Sequence, residues 1–205
     1  MDDRVLAAVV ATGLVVSNRV TVGELSKVAI NDTVTLKFLA DPNSAFEPED
    51  ADRTRLNSRS YKIENASFAL QFAKSGVSVP MFVGGGSIPY FTIYKGNPKS
   101  DGFFVSTSTV SPGGVPLALT PPSTPAPGAF HGNLDLSYEG NKTVPSTDLL
   151  AAAGRTYAFD GLTRFSFDVW NAFPDNEAMG FDFESMRIST SKADQPSGAT
   201  ERAAR

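Results

Sequence analysis

Thr33-Val34-Thr35-Leu36-Lys37-Phe38-Leu39 decides the fold class. Val34, Leu36 and Phe38 recur at every second position, with Thr35 and Lys37 between them, and a period of two marks a strand with one buried face. The same alternation returns along most of the chain. From Ala66 to Phe72, Phe68, Leu70 and Phe72 alternate with Ser67, Ala69 and Gln71 after an approach through Tyr61 and Ile63. Val77, Val79 and Met81 continue it beyond Lys74-Ser75-Gly76, which predicts an antiparallel hairpin. Past Gly84-Gly85-Gly86, the β-branched and aromatic run Ile88 to Tyr94 and the run Phe103 to Ser106 predict a second hairpin across the turn-forming residues 95–102. Leu134, Leu136 and Tyr138 resume the pattern, followed by Thr163, Phe165, Phe167 and Val169, and then by Phe181, Phe183, Met186 and Ile188.

Little else competes with strands. Six prolines between Pro112 and Pro127 cannot donate ladder hydrogen bonds and predict a long surface loop. The one helix-like stretch is Ser146 to Ala153, with Ser146 or Thr147 as its cap and Gly154 as its end. Eight to ten short antiparallel strands in 205 residues suit one all-β domain, a jelly-roll-like β-sandwich, with an open β-barrel as the alternative.

Composition excludes whole chemistries. The chain has no cysteine and one histidine, His131, so thiol nucleophiles, disulfides, zinc ribbons and multi-histidine metal sites are out of reach within one chain. No G-x-S-x-G elbow offers a serine to His131. A net charge of −4, with no basic cluster denser than Arg53, Arg55 and Arg59, argues against nucleic acid as a partner.

The N-terminus carries the apolar run Val5 to Val16, VLAAVVATGLVV. It is too short to span a bilayer but has the length of a signal-peptide core, with Val15 and Ser17 as the small residues before a cleavage site. Asp2-Asp3-Arg4 ahead of it lacks the positive charge of a secretory leader, and the other reading is a buried strand or short helix of the fold itself. The expected organisation is an apolar, signal-like segment at 1–19, a β-sandwich domain at 20–189 and a polar, disordered tail at 190–205.

The order of segments carries a resemblance. Val28-Ala29-Ile30-Asn31-Asp32-Thr33 leads into the first strand, an acidic loop follows, and then comes Tyr61-Lys62-Ile63-Glu64-Asn65-Ala66-Ser67-Phe68-Ala69-Leu70. Tyr90-Phe91-Thr92-Ile93-Tyr94, Asp101-Gly102-Phe103-Phe104-Val105-Ser106 and Ser146-Thr147-Asp148-Leu149-Leu150 complete it before a final strand pair. Over about residues 20 to 190 this resembles the exported β domains of bacterial proteins that carry a PEP-CTERM sorting signal. The resemblance implies an extracellular or cell-surface location, with the periplasm as the alternative, and extracellular polysaccharide or further copies of the chain as partners. The Val-Pro-Glu-Pro-like motif, transmembrane helix and basic tail of such proteins do not follow Ile188.

Candidate sites are few. If the partner is a glycan, Trp170, Tyr90, Tyr94 and Phe173 are the aromatic rings on which sugars would stack. The acidic loop from Asp41 to Asp52 holds the densest oxygen ligands, so Asp41, Asp50 and Asp52 are the residues for a calcium ion. Ala45 and Phe46 break the EF-hand pattern there, and the other reading is a solvated loop paired with Arg53 and Arg55. The expected function is a non-enzymatic exported β domain with a structural or adhesive role at the cell surface or in the extracellular matrix. The alternatives are a structural subunit of a filament or virion and a carbohydrate-binding module.

Overall fold

The computed structural model describes residues 4–46, 57–82, 88–96, 99–107, 114–119, 130–171 and 178–192. The strands are β1 (Val5–Asn18), β2 (Thr33–Ala40), β3 (Ser58–Lys62), β4 (Ala69–Phe72), β5 (Ser78–Pro80), β6 (Pro89–Tyr94), β7 (Ser100–Thr107), β8 (Val115–Pro116), β9 (Phe130–Glu139), β10 (Arg155–Ala158), β11 (Leu162–Asn171) and β12 (Ala178–Lys192). The only α-helix among the described residues is α1 (Leu149–Ala152). The all-β antiparallel class expected from the alternation is the one observed, and of the two expected architectures it takes the open-barrel form. One sheet of 12 strands, in the order β3-β6-β7-β9-β11-β12-β1-β2-β4-β5, curls on itself, with β10 beside β12 and β8 beside β9.

The curl is driven by the inward-facing side chains. Phe38 of β2 and Phe91 of β6 stand far apart in the strand order, yet their rings meet at 5.3 Å across the interior. Phe91 stacks on Phe103 at 5.8 Å, and Phe167 meets Phe181 at 4.8 Å. Rings such as these are the largest apolar payload the chain can bury, and an open sheet would leave them in water. Short bridges cover the two ends of the strand order. Ala40 pairs with Ile63 and Phe46 with Ser60 beside β3, and Met81 pairs with Leu117 beside β5. Unpaired edges invite pairing with other chains, and these contacts blunt both.

The apolar run Val5 to Val16 is β1, near the middle of the sheet. It forms 13 antiparallel pairs with β12, from Val5 opposite Lys192 to Asn18 opposite Met179, and 8 with β2. Ala7, Val9, Ala11 and Val15 are buried in the same core as Phe38 and Phe167, and Leu6 is buried as well. The segment set apart in the sequence as 1–19 is thus continuous with the β domain, and at the other end β12 runs through Lys192. A bulge at Glu184 explains why the inward positions of β12 change from Phe181 and Phe183 to Met186 and Ile188, because the register shifts opposite Thr12 and Gly13. Gly13 permits the close approach, since a side chain there would collide with the Asp182 carbonyl.

Both expected hairpins form, β4–β5 and β6–β7, and the first turns at Gly76 with φ +69°. Two expectations change. The helix is a single turn capped by Asp148, whose carboxylate accepts from the Ala151 amide at 2.8 Å; Ser146 instead accepts from the Asp148 amide at 3.0 Å. Within the proline-rich stretch, Val115–Pro116 is a short strand paired with Gly132 and His131, which Pro116 tolerates at the margin of a sheet. No helix among the described residues is long and apolar enough to cross a membrane.

Candidate functional site

Alternation places His131, Asn133, Asp135 and Ser137 on the outward side of β9, because Leu134, Leu136 and Tyr138 face the core. β11 answers them in register. Trp170 lies opposite His131, Asp168 opposite Asn133 and Ser166 opposite Asp135. On the far side of β9, Phe104 of β7 lies opposite Asp135, and β6 brings Tyr94 opposite Gly102. The outward face of β6, β7, β9 and β11 therefore brings together Tyr94, His131, Asn133, Asp135, Asp168 and Trp170.

His131 and Trp170 stack at 4.7 Å with their planes 24° apart; His131 is 4% exposed and Trp170 half-buried. Gly114 presses against the pair with φ +106°, and a methyl group there would come within 3.2 Å of His131 Cβ and 3.4 Å of Trp170 Nε1. Only glycine suits both that backbone and that space. Two residues along, Asn133 Nδ2 donates to Ser166 Oγ at 2.9 Å, and Ser166 Oγ donates to Asp168 Oδ2 at 2.5 Å. Burial pushes the Asp168 carboxyl above its ordinary value of 3.8, while the hydrogen bonds of Ser166 and Asn133 hold it back. Arg164 pairs with Asp135 at 3.3 Å, but its side chain is 72% exposed, so the pair contributes little.

Tyr90 and Tyr94 belong to the same face and are joined through Phe104, at 6.2 and 6.4 Å between ring centres; Phe46 caps Tyr90 edge-on at 5.6 Å. Both are buried, at 7% and 2% exposure. The Tyr94 hydroxyl reaches across Gly102 to the Leu136 carbonyl at 2.9 Å and the Ser137 hydroxyl at 2.6 Å. A side chain on Gly102 would occupy that hydroxyl's place. The structure thus brings Tyr90, Tyr94 and Trp170 to one face, with Trp170 the least enclosed. Phe173 lies outside the described residues.

Asp41 caps the short 3-10 turn Pro42–Ser44, accepting from the Asn43 amide at 2.9 Å, and faces Arg4 at 4.0 Å. Asp50 and Asp52, the other two residues expected to hold calcium, lie outside the described residues. Two further carboxylates are fully buried as clasps. Asp32 accepts the Lys74 and Ser75 amides at 2.7 and 2.9 Å. Asp101 accepts the Gly96 and Val144 amides at 2.8 Å each, with Lys95 Nζ at 3.8 Å. A concavity between β9 and β10 is lined by Tyr138, Thr143, Arg155, Tyr157 and Asp160. Its two tyrosine hydroxyls are spent on the Ala158 and Ala152 carbonyls, at 3.0 and 3.1 Å, and burial pushes Tyr157 up to about 12.

Sequence reasoning singled out Trp170 and the tyrosines but missed Asn133, Ser166 and Phe104. The signal was present, since polar residues alternate with Leu134, Leu136 and Phe167 on both strands, but only the β9–β11 register puts Asn133 beside Asp168 and Ser166. Comparison with protein-family models, curated proteins and solved structures gave no match.

Proposed function

We propose that the chain is a non-enzymatic exported β domain with a structural and adhesive role at the cell surface or in the extracellular matrix, where it holds polysaccharide. The observation that carries this reading is the outward face of β9 and β11, where a hydrogen-bonded polar network lies beside a partly open indole. Ser166 donates to Asp168 and accepts from Asn133, so its hydroxyl is a link in the network that ties β9 to β11. Trp170, stacked on His131 and half-buried, is a rigid amphipathic platform of the kind that meets the apolar face of a sugar ring. Asp32 and Asp101 are likewise engaged in holding loops.

Affinity electrophoresis through gels containing alginate, xanthan or hydroxyethylcellulose tests the adhesive part. The expected result is retardation by at least one of them and a loss of about tenfold in affinity for Trp170→Ala, the equivalent of about 1.4 kcal/mol. Free migration in all three gels, or equal retardation of the variant, would overturn it. Export is tested by the mass of the protein recovered outside the cell, which is expected to include Val5 to Val16 because β1 is paired on both sides.

A further inference from the structure

The outward face of β12, β1 and β2 differs from the one just described. Three rows cross it in register: Arg187–Val10–Lys37, Ser185–Thr12–Thr35 and Asp182–Leu14–Thr33. Val10 and Val16 are 36% and 44% exposed, and Arg187, Lys37, Asp182 and Glu184 are exposed around them. A strand with one solvated face ordinarily alternates apolar with polar, whereas from Val5 to Val16 the only polar side chain of β1 is Thr12, as in strands covered on both faces. Among the described residues neither Arg187 nor Asp182 is in an ion pair. They flank the neutral Ser185–Thr12–Thr35 row on the same strand, one on each side.

We propose that this face packs against the same face of a second copy of the chain. The twofold axis lies in the plane between the two sheets and crosses the strands at the Ser185–Thr12–Thr35 row. That rotation lays the Val10 row of each copy on the Leu14 row of the other. Val10 meets Leu14 and Arg187 meets Asp182, each contact occurring twice as an isologous interface requires, while Thr12 meets its own copy on the axis. The central row is short, so two sheets reach the ~10 Å spacing of a sandwich without a clash. Charge complementarity selects a second copy as the occupant: an acidic polymer would meet Asp182 and Glu184, and a basic one Lys37 and Arg187. The inference is independent of the polysaccharide reading, which rests on the other face.

Sedimentation velocity from roughly 1 to 100 μM, a range in which interfaces of ordinary size associate, tests it. The wild-type chain is expected to reach twice its 21.8 kDa. Arg187→Glu should weaken the dimer at least about tenfold, as removal of a close charge pair does. The double variant Arg187→Glu/Asp182→Arg should restore it by exchanging the reciprocal pair, and Val10→Lys should abolish it; circular dichroism establishes that each variant is folded. A wild-type monomer throughout the range overturns the proposal, as does a dimer indifferent to Arg187→Glu and Val10→Lys. If the wild type is a monomer and Val10→Lys loses retardation in a polysaccharide gel while Trp170→Ala keeps it, this face takes glycan, and both assignments of partner to face fail.

Discussion

Asp168 occupies an outward strand position, where a carboxylate usually meets water, yet it is half-buried and bonded to Ser166. Because burial raises its folded value above the ordinary 3.8, the folded chain keeps this proton after the unfolded chain has lost it. Its contribution to stability is therefore present in full below 3.8 and falls as pH rises through the folded value. Asp168→Asn keeps an acceptor for Ser166 and removes the charge. Thermal melts across a pH series should show the variant more stable than wild type near neutrality and a flatter profile above about pH 4; a less stable variant with an unchanged profile would contradict this. Nothing in the sequence around Asp168 distinguishes it from Asp182, which also alternates with phenylalanines and is exposed. The difference comes from the neighbouring strand, because Asp168 pairs with Asn133 and Asp182 with Leu14. Asp32 and Asp101 were illegible for the same reason, since the Lys74 and Ser75 amides on Asp32 and the Val144 amide on Asp101 come from segments more than forty residues away.

At the scale of elements, β2 and the two hairpins were legible because each buries one face and shows its alternation. β1 was not. Its run VLAAVVATGLVV has no polar phase, so strand, short helix and signal core were all consistent with it. In the structure it separates β12 from β2, and a chain beginning at Asn18 would strip each of the partner on that side. Burial of Leu6, Val9 and Val15 alone contributes roughly 4–9 kcal/mol, comparable with the whole stability of an ordinary domain. Deletion of residues 1–17 is expected to abolish the cooperative thermal transition; a truncated chain that melts like the full one would show β1 to be dispensable. The helical turn was legible in place but not in its cap. Tyr61 helps hold it, accepting from the Leu149 amide at 3.1 Å and donating to the Thr147 carbonyl at 2.8 Å, a tie from a strand about ninety residues earlier.

For the whole molecule, the first and last strands zip together in the sheet, with Thr12 bonded to Ser185 across 173 positions of sequence. Pairs of such separation pay loop-closure entropy before they contribute, so the centre of the sheet opens and closes only with the whole fold. Hydrogen exchange is expected to give the β1 amides an opening free energy equal to that of global unfolding in urea, with β5 and β3, at the two ends of the strand order, opening sooner. Earlier exchange of β1 would show that the N-terminal strand detaches by itself. By itself the sequence determined the all-β class, the two hairpins and the exclusion of thiol and multi-histidine chemistry, because period-two burial and residue inventory are local properties of the chain. Only the tertiary structure decided that one sheet curls into an open barrel, that the apolar N-terminus is a strand of it, and which polar residues share a face. Those are matters of strand order and register, and register is set by pairs of residues that the sequence keeps far apart.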